Sequence, residues 1–139
     1  MADRAPATIQ AGAISIEGMN FVRHYWLEDG TVGGDNVGAN SKKLEINAIR
    51  VGSLGFATTP FETFDTNGME IKDGSPFEIT FVLSCANGQD GYVPAKYVWD
   101  YPNSATDRPY EEMSCRYYPG TGENVAADLV AMLKELNNG

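Results

Sequence analysis

Two short apolar runs, Ile46 to Val51 and Leu54 to Thr59, are separated only by Gly52-Ser53. A two-residue link of this kind joins neighbouring antiparallel strands, so a tight β-hairpin is expected here. Phe61 to Lys72 follows, where Phe61, Phe64 and Met69 fit a short, imperfect helix that Asp73-Gly74-Ser75-Pro76 would end. The next run, Phe77 to Cys85, alternates Phe77, Ile79, Phe81 and Leu83 within a continuous apolar stretch, the pattern of a strand covered on both faces. Strand, helix, strand makes a βαβ-like unit, and its handed crossover places the second strand parallel to the first. One hairpin and one crossover sharing a strand predict a mixed sheet.

The flanking segments add to this nucleus. Ala7 to Ile16 alternates weakly and reads as a strand ending at Glu17-Gly18. Phe21 to Trp26 is β-prone through its aromatic and branched residues, and Glu28-Asp29-Gly30 signals a turn. Gly33 to Ser41, rich in glycine and asparagine, reads as an exposed loop. From Ala86-Asn87-Gly88 to Gly122 the chain is dense in Tyr, Pro, Gly and Asn and reads mostly as loop. Near the end, Val125, Leu129, Met132, Leu133 and Leu136 recur at helical spacing, with Thr121 as N-cap and Glu123 in the first turn. The fold class expected is α/β, with α+β as the alternative: a mixed sheet, few helices and a packed C-terminal amphipathic helix. At 139 residues, 42% of them hydrophobic, the chain suits one domain, residues 1–139, with its own core.

Ten basic against 19 acidic residues give a formal net charge of −9, which repels nucleic-acid backbones and anionic lipid headgroups. The acids are scattered, as on a solubilising surface. No run approaches the roughly 18 apolar residues that cross a bilayer, and the N-terminus lacks the basic start and apolar stretch of a signal peptide, so a cytoplasmic location is the default expectation. Cys85 and Cys115 show no CxxC spacing and are expected as buried free thiols, a disulfide remaining the alternative in an oxidising compartment.

Glu62 and Tyr92 each fall just past the carboxyl end of a predicted strand, the edge of an α/β sheet where ligand groups converge. A carboxylate and a phenol meeting there could hold a cation, which stabilises the conjugate base of a weak acid. The plain alternative for Glu62 is a solvated or capping carboxylate. For Arg23 the alternatives are an ion pair with one of the acids or a contact to an anion or carbonyl. Tyr110 stands among Tyr97, Tyr101, Tyr117 and Tyr118, and could pack as they do. Trp26 and Trp99 read as core or rim packing before they read as an acyl-chain groove.

The run Ile46-Asn-Ala-Ile-Arg-Val-Gly-Ser-Leu-Gly-Phe-Ala-Thr-Thr-Pro-Phe-Glu62 resembles the strand that leads to a zinc-binding glutamate in the neutral ceramidase family. Ser84-Cys-Ala-Asn-Gly-Gln-Asp-Gly-Tyr92-Val-Pro is similar to the later strand and turn that supply a zinc-binding tyrosine there. Arg108-Pro-Tyr110-Glu111 resembles the segment whose tyrosine holds the reacting carbonyl oxygen, and Phe21-Val-Arg23-His-Tyr-Trp one whose arginine lies at the active site. Pro119 to Leu129 resembles the helix that closes the same domain. The likeness runs from about residue 19 onward and is strongest for residues 46 to 125. It implies a zinc-dependent amidohydrolase of N-acyl lipids, with Glu62 and Tyr92 as metal ligands and Arg23 and Tyr110 as catalytic groups.

The departures from that family matter equally. Its zinc histidines come from two blocks, one upstream of the Arg23 region and one between that region and the Ile46 strand, and neither block is in this chain. The segment with the proposed nucleophilic serine is missing too. His24 is the single histidine and matches beside the arginine, so it is a surface residue or, less in keeping with the pattern, a substitute ligand. Catalytic zinc takes three protein ligands and a water; Glu62 and Tyr92 are two. The resemblance therefore implies a shortened member, corresponding to the C-terminal part of the catalytic domain, with weak or absent zinc binding and inactive alone. The alternative is a non-catalytic module binding a small ligand or a protein. Apolar surface at the missing blocks predicts a homo-oligomer, or completion by another chain.

Overall fold

The computed structural model describes residues 6–17, 24–26, 32–34, 43–100 and 110–139. The expected hairpin is present: β4 (Leu44–Val51) pairs antiparallel with β5 (Leu54–Thr58) around Gly52, which turns with a φ of 60°. β1 (Ile9–Ile16) lies antiparallel on the other side of β4, where Gly52 N–H also donates to Thr8 O at 3.0 Å. After β5 the chain passes through β6 (Glu62–Thr63) and α1 (Asp65–Gly74) into β7 (Ile79–Leu83). β7 pairs parallel to β5, Leu54 opposite Ile79, as a βαβ crossover requires. The four-stranded sheet thus has the order β1-β4-β5-β7, mixed as expected, and the class is α/β.

Two smaller ladders complete the strands. β2 (His24–Trp26) pairs antiparallel with β3 (Val32–Gly34), so Gly33 and Gly34 belong to a strand and not to the loop predicted for Gly33 to Ser41. β6 pairs parallel with β8 (Tyr92–Val93) and prolongs the β5–β7 ladder past its carboxyl end. Within the stretch expected as loop, a 3-10 helix forms at Lys96–Asp100 and α2 at Tyr110–Ser114. The C-terminal helix, α3 (Thr121–Asn138), is present as expected and starts within one residue of the predicted position. Its cap is Gly120 at φ 87° and not Thr121, which is 3% exposed inside the first turn and is used in packing.

α1 and α3 cover one face of the sheet. Ile46 and Ala48 on β4, Ala57 on β5 and Ile16 on β1 meet Val125, Leu129, Met132 and Leu133 of α3 in one core, joined by Ile71 of α1. The helices lie close at both ends of α1. A Cβ on Gly122 would fall 2.7 Å from Asn67 Oδ1, and one on Gly74 would fall 2.8 Å from Val130 Cγ2. A similar approach at Gly55 seats Phe77. Arg50 reaches from β4 to the end of α3, donating from Nη1 to Leu136 O at 2.9 Å. That cation complements the negative end of the helix. Gly139 ends beside Gln10 of β1.

Two expectations need correction. The helix predicted from Phe61 starts only at Asp65, because Phe61 is wholly buried in the core and Phe64 takes an extended conformation before the first turn; Met69, placed on the packing face, is 59% exposed. β7 is covered on one face only. Its inward side chains are Thr80 and Val82, and Ile79, Phe81 and Leu83 point outward at 50%, 45% and 43% exposure. The helices lie on the side faced by Ala57 and Thr80, and the strand's largest side chains take the other.

Candidate functional site

Beyond β5 the chain is pinned to the turn that follows β7. Thr59 N–H donates to Leu83 O, Cys85 N–H to Phe61 O, Ala86 N–H to Thr59 O and Asp90 N–H to Pro60 O, all between 2.7 and 3.0 Å. Thr59 and Phe61 are fully buried, and the Thr59 and Thr63 hydroxyls share a hydrogen at 2.6 Å. Cys85 and Asn87 adopt φ of 54° and 61°, so the chain reverses here through two left-handed non-glycine residues. Such conformations persist where the surroundings impose them. The turn also moves Cys85 out of the strand run, and it is exposed; the sequence had suggested burial for both thiols, which holds for Cys115 alone. Both are free.

This seam brings Glu62 and Tyr92 together. They are register partners in the β6–β8 ladder, with Glu62 N–H on Gly91 O at 3.0 Å. Parallel partners project their side chains to the same face, so the carboxylate and phenol meet. The Glu62 carboxylate, as hydrogen-bond acceptor and then as a charge, holds the Tyr92 phenol above its ordinary titration range; Glu111 and Tyr110 push in the same direction. Tyr110, at the start of α2, sets its ring edge-on to Tyr92 with centroids 6.0 Å apart. It is 65% exposed, so its hydroxyl end is open to a ligand.

A second phenol–carboxylate pair braces the first. The Tyr117 hydroxyl donates to Asp90, two residues before Tyr92, in a very short contact. Burial, then the Asp90 bond, raise its titration far above the ordinary range. Phe61 packs edge-on to the Tyr117 ring at 5.0 Å, so this pair anchors both segments that carry Glu62 and Tyr92. Asp90, Tyr117 and the charge of Glu111 were not singled out by the sequence reading. The only signal was the acid inside Gly-Gln-Asp-Gly ahead of Tyr92.

Of the four predicted site residues, three converge: Glu62, Tyr92 and Tyr110. Arg23 lies outside the described residues. His24 is on β2, away in sequence from this seam. The donor set fits zinc only in part. Among the described residues no group of three His, Cys, Asp or Glu side chains could hold a metal ion, and the Glu62 carboxylate keeps the neighbouring Tyr92 phenol above its ordinary titration range. No helix among the described residues is long and apolar enough to cross a membrane.

A mixed sheet with a parallel β5–α1–β7 unit, two helices on one face and polar side chains gathered past the strand ends makes an α/β fold. It is similar to the crystal structure of neutral ceramidase from Pseudomonas aeruginosa, with a TM-score of 0.57 and 21% identity over 70% of this chain and 16% of that one. It is similar also to a structure described as ceramidase complexed with C2, with a TM-score of 0.61 and 20% identity over 80% of this chain and 18% of that one. The chain thus spans less than a fifth of the length of these ceramidases. No protein-family model matches it, and no curated protein does.

Proposed function

We propose that residues 1–139 form a single ceramidase-like unit, incomplete relative to the enzymes it resembles, in which Glu62 and Tyr92 are the metal-holding pair of an amidohydrolase acting on N-acyl lipids. The meeting of these two side chains on one strand ladder carries this reading. Tyr110 presents a hydroxyl beside the pair, where it would contact the carbonyl oxygen of an N-acyl chain or a comparable small ligand, and Arg23 would serve the same oxygen. Bound zinc would supply an acidified water. The chain's own part would be to hold the cation with the Glu62 carboxylate and the Tyr92 oxygen, the Tyr92 phenol giving up its proton to solvent. With one histidine in the sequence, a complete ligand set requires donors from a second copy or another chain, so the unit alone is inactive. A non-catalytic module that binds a small ligand or protein in the same cleft is the alternative.

The test is zinc content by elemental analysis on wild type, Glu62→Gln and Tyr92→Phe, with near-ultraviolet tyrosinate absorbance followed on adding zinc. Weak uptake and a tyrosinate signal in wild type, both lost in either variant, together with no hydrolysis of an N-acyl amide, are expected. Uptake indifferent to both substitutions would sink the metal assignment. Amide turnover by wild type alone would sink the inactivity, and absence of uptake with retained ligand binding would leave the non-catalytic module.

A further inference from the structure

The sheet face opposite the helices presents three cross-strand rows. They are Ile9–Val51–Leu54–Ile79, Ala11–Ile49–Phe56–Phe81 and Ala13–Asn47–Thr58–Leu83. None of these residues is charged. On a chain of net charge −9 that is a notable gap. With a side chain of this size presenting roughly 200 Å² when fully open, Ile9, Ile79, Phe81 and Leu83, at 69%, 50%, 45% and 43% exposure, show about 400 Å² between them. Ala11, Ala13 and the half-buried Ile49, Val51, Leu54 and Phe56 raise the patch to about 600–700 Å². That exceeds the largest patch on most monomers and approaches the ~800 Å² per partner of a standard stable interface.

The face is also uneven in a way that fits itself. On the β7 side Ile79, Phe81 and Leu83 form a ridge, and Phe81 is stiffened by stacking on Phe56 at 5.1 Å. On the β1 side Ala11 and Ala13, with Asn47, Ile49 and Thr58, floor a hollow of about 440 Å³ walled by Ala86 and Asn87. A twofold axis parallel to the strands, between two such faces about 10 Å apart, exchanges left and right while keeping each row in line. Phe81 of one copy then lies over Ala11 of the other, Leu83 over Ala13, and Ile79 over Ile9. Large side chains meet small ones in the two rows that contain the hollow. The polar pair within the patch is already satisfied, Asn47 Nδ2 donating to Thr58 Oγ1 at 3.3 Å, so it enters the interface without a lost partner. Glu45, the nearest charge along β4, lies one row outside and is held by Asn87 Nδ2 at 2.9 Å.

We infer that this face is the interface of an isologous homodimer in which the β7 ridge of each copy fills the β1 hollow of its partner. The inference concerns the side of the sheet away from the helices and does not rest on the metal pair.

Sedimentation equilibrium of the full chain tests it. Wild type is expected to dimerise, and Phe81→Glu or Ala11→Lys to weaken association at least tenfold with unchanged far-ultraviolet circular dichroism. Because Phe81 also stacks on Phe56, Ile9→Lys at the open edge serves as a variant that cannot disturb the core. The double variant Phe81→Glu with Ala11→Lys places opposite charges face to face in both halves of the twofold and is expected to recover association. A wild type that stays monomeric, a dimer indifferent to these substitutions, or a double variant no tighter than the singles each overturns the proposed interface.

Discussion

Two tyrosines in this protein titrate late, and for different reasons. Tyr92 is held protonated by the bond to Glu62, and Tyr117 first by burial and then by Asp90. A phenol whose folded titration lies above its unfolded value favours the folded state fully at pH below the unfolded value of about 10, and the advantage is lost as pH rises through the folded one. Tyr117 therefore predicts an alkaline loss of stability beginning near pH 10, to which the solvent-screened Tyr92 adds little. Tyr117→Phe removes most of that slope, and at neutral pH it weakens the fold by about 1.5–3 kcal/mol through loss of a hydrogen bond to a charged partner. Urea midpoints measured from pH 7 to 11 check both parts. A variant keeping the wild-type alkaline slope would mean that another group governs it.

Helix propensity alone gives the wrong sign for two glycines. Alanine is the better helix former by about 1 kcal/mol, so Gly74→Ala and Gly122→Ala would be expected to stabilise α1 and α3. The added Cβ atoms, however, meet Val130 at 2.8 Å and Asn67 at 2.7 Å. Each substitution is expected to lower stability by about 1–3 kcal/mol, read as the shift in urea midpoint; Gly68→Ala in α1, whose Cβ meets open space, should instead gain a few tenths. The same pairing of local and tertiary forces decides what the sequence could disclose. Gly52-Ser53 marks the hairpin, and the strand–helix–strand pattern from β5 to β7 favours a parallel crossover, so the mixed sheet was legible. Alternation in Phe77 to Cys85 shows that Ile79, Phe81 and Leu83 share a face, but not which face, because the inward direction is set by where α1 and α3 pack. Phe61 looked like the first residue of a helix because the burial that claims it comes from Tyr117, far along the chain. At the site, the strand ends sufficed to bring Glu62 and Tyr92 to the same edge of the sheet, whereas the Asp90–Tyr117 brace joins residues 27 apart and left only the acid of Gly-Gln-Asp-Gly as a local trace.

At the scale of the whole molecule, 19 acids against ten bases make the compact state repel itself. The ion pair between Lys43 and Glu17, at 3.4 Å, is largely exposed and offsets little of this. Added salt screens the repulsion within about 10 Å at 0.1 M, so the thermal midpoint is expected to rise from low to moderate sodium chloride. A midpoint that falls would mean that attractive pairs outweigh the net charge.

The proximity of Gly139 to Gln10 reaches further than stability. A short linker from Gly139 to the strand that begins at Ile9 could close residues 9–139 into a ring, and the ring could be reopened between Gly52 and Ser53 without displacing any side chain of the core. The hairpin, now the most local pairing in the molecule, would become the most remote, and a chain with identical native contacts would have to search longer for them. Folding speed here belongs to the order in which the strands are threaded, not to the architecture they build.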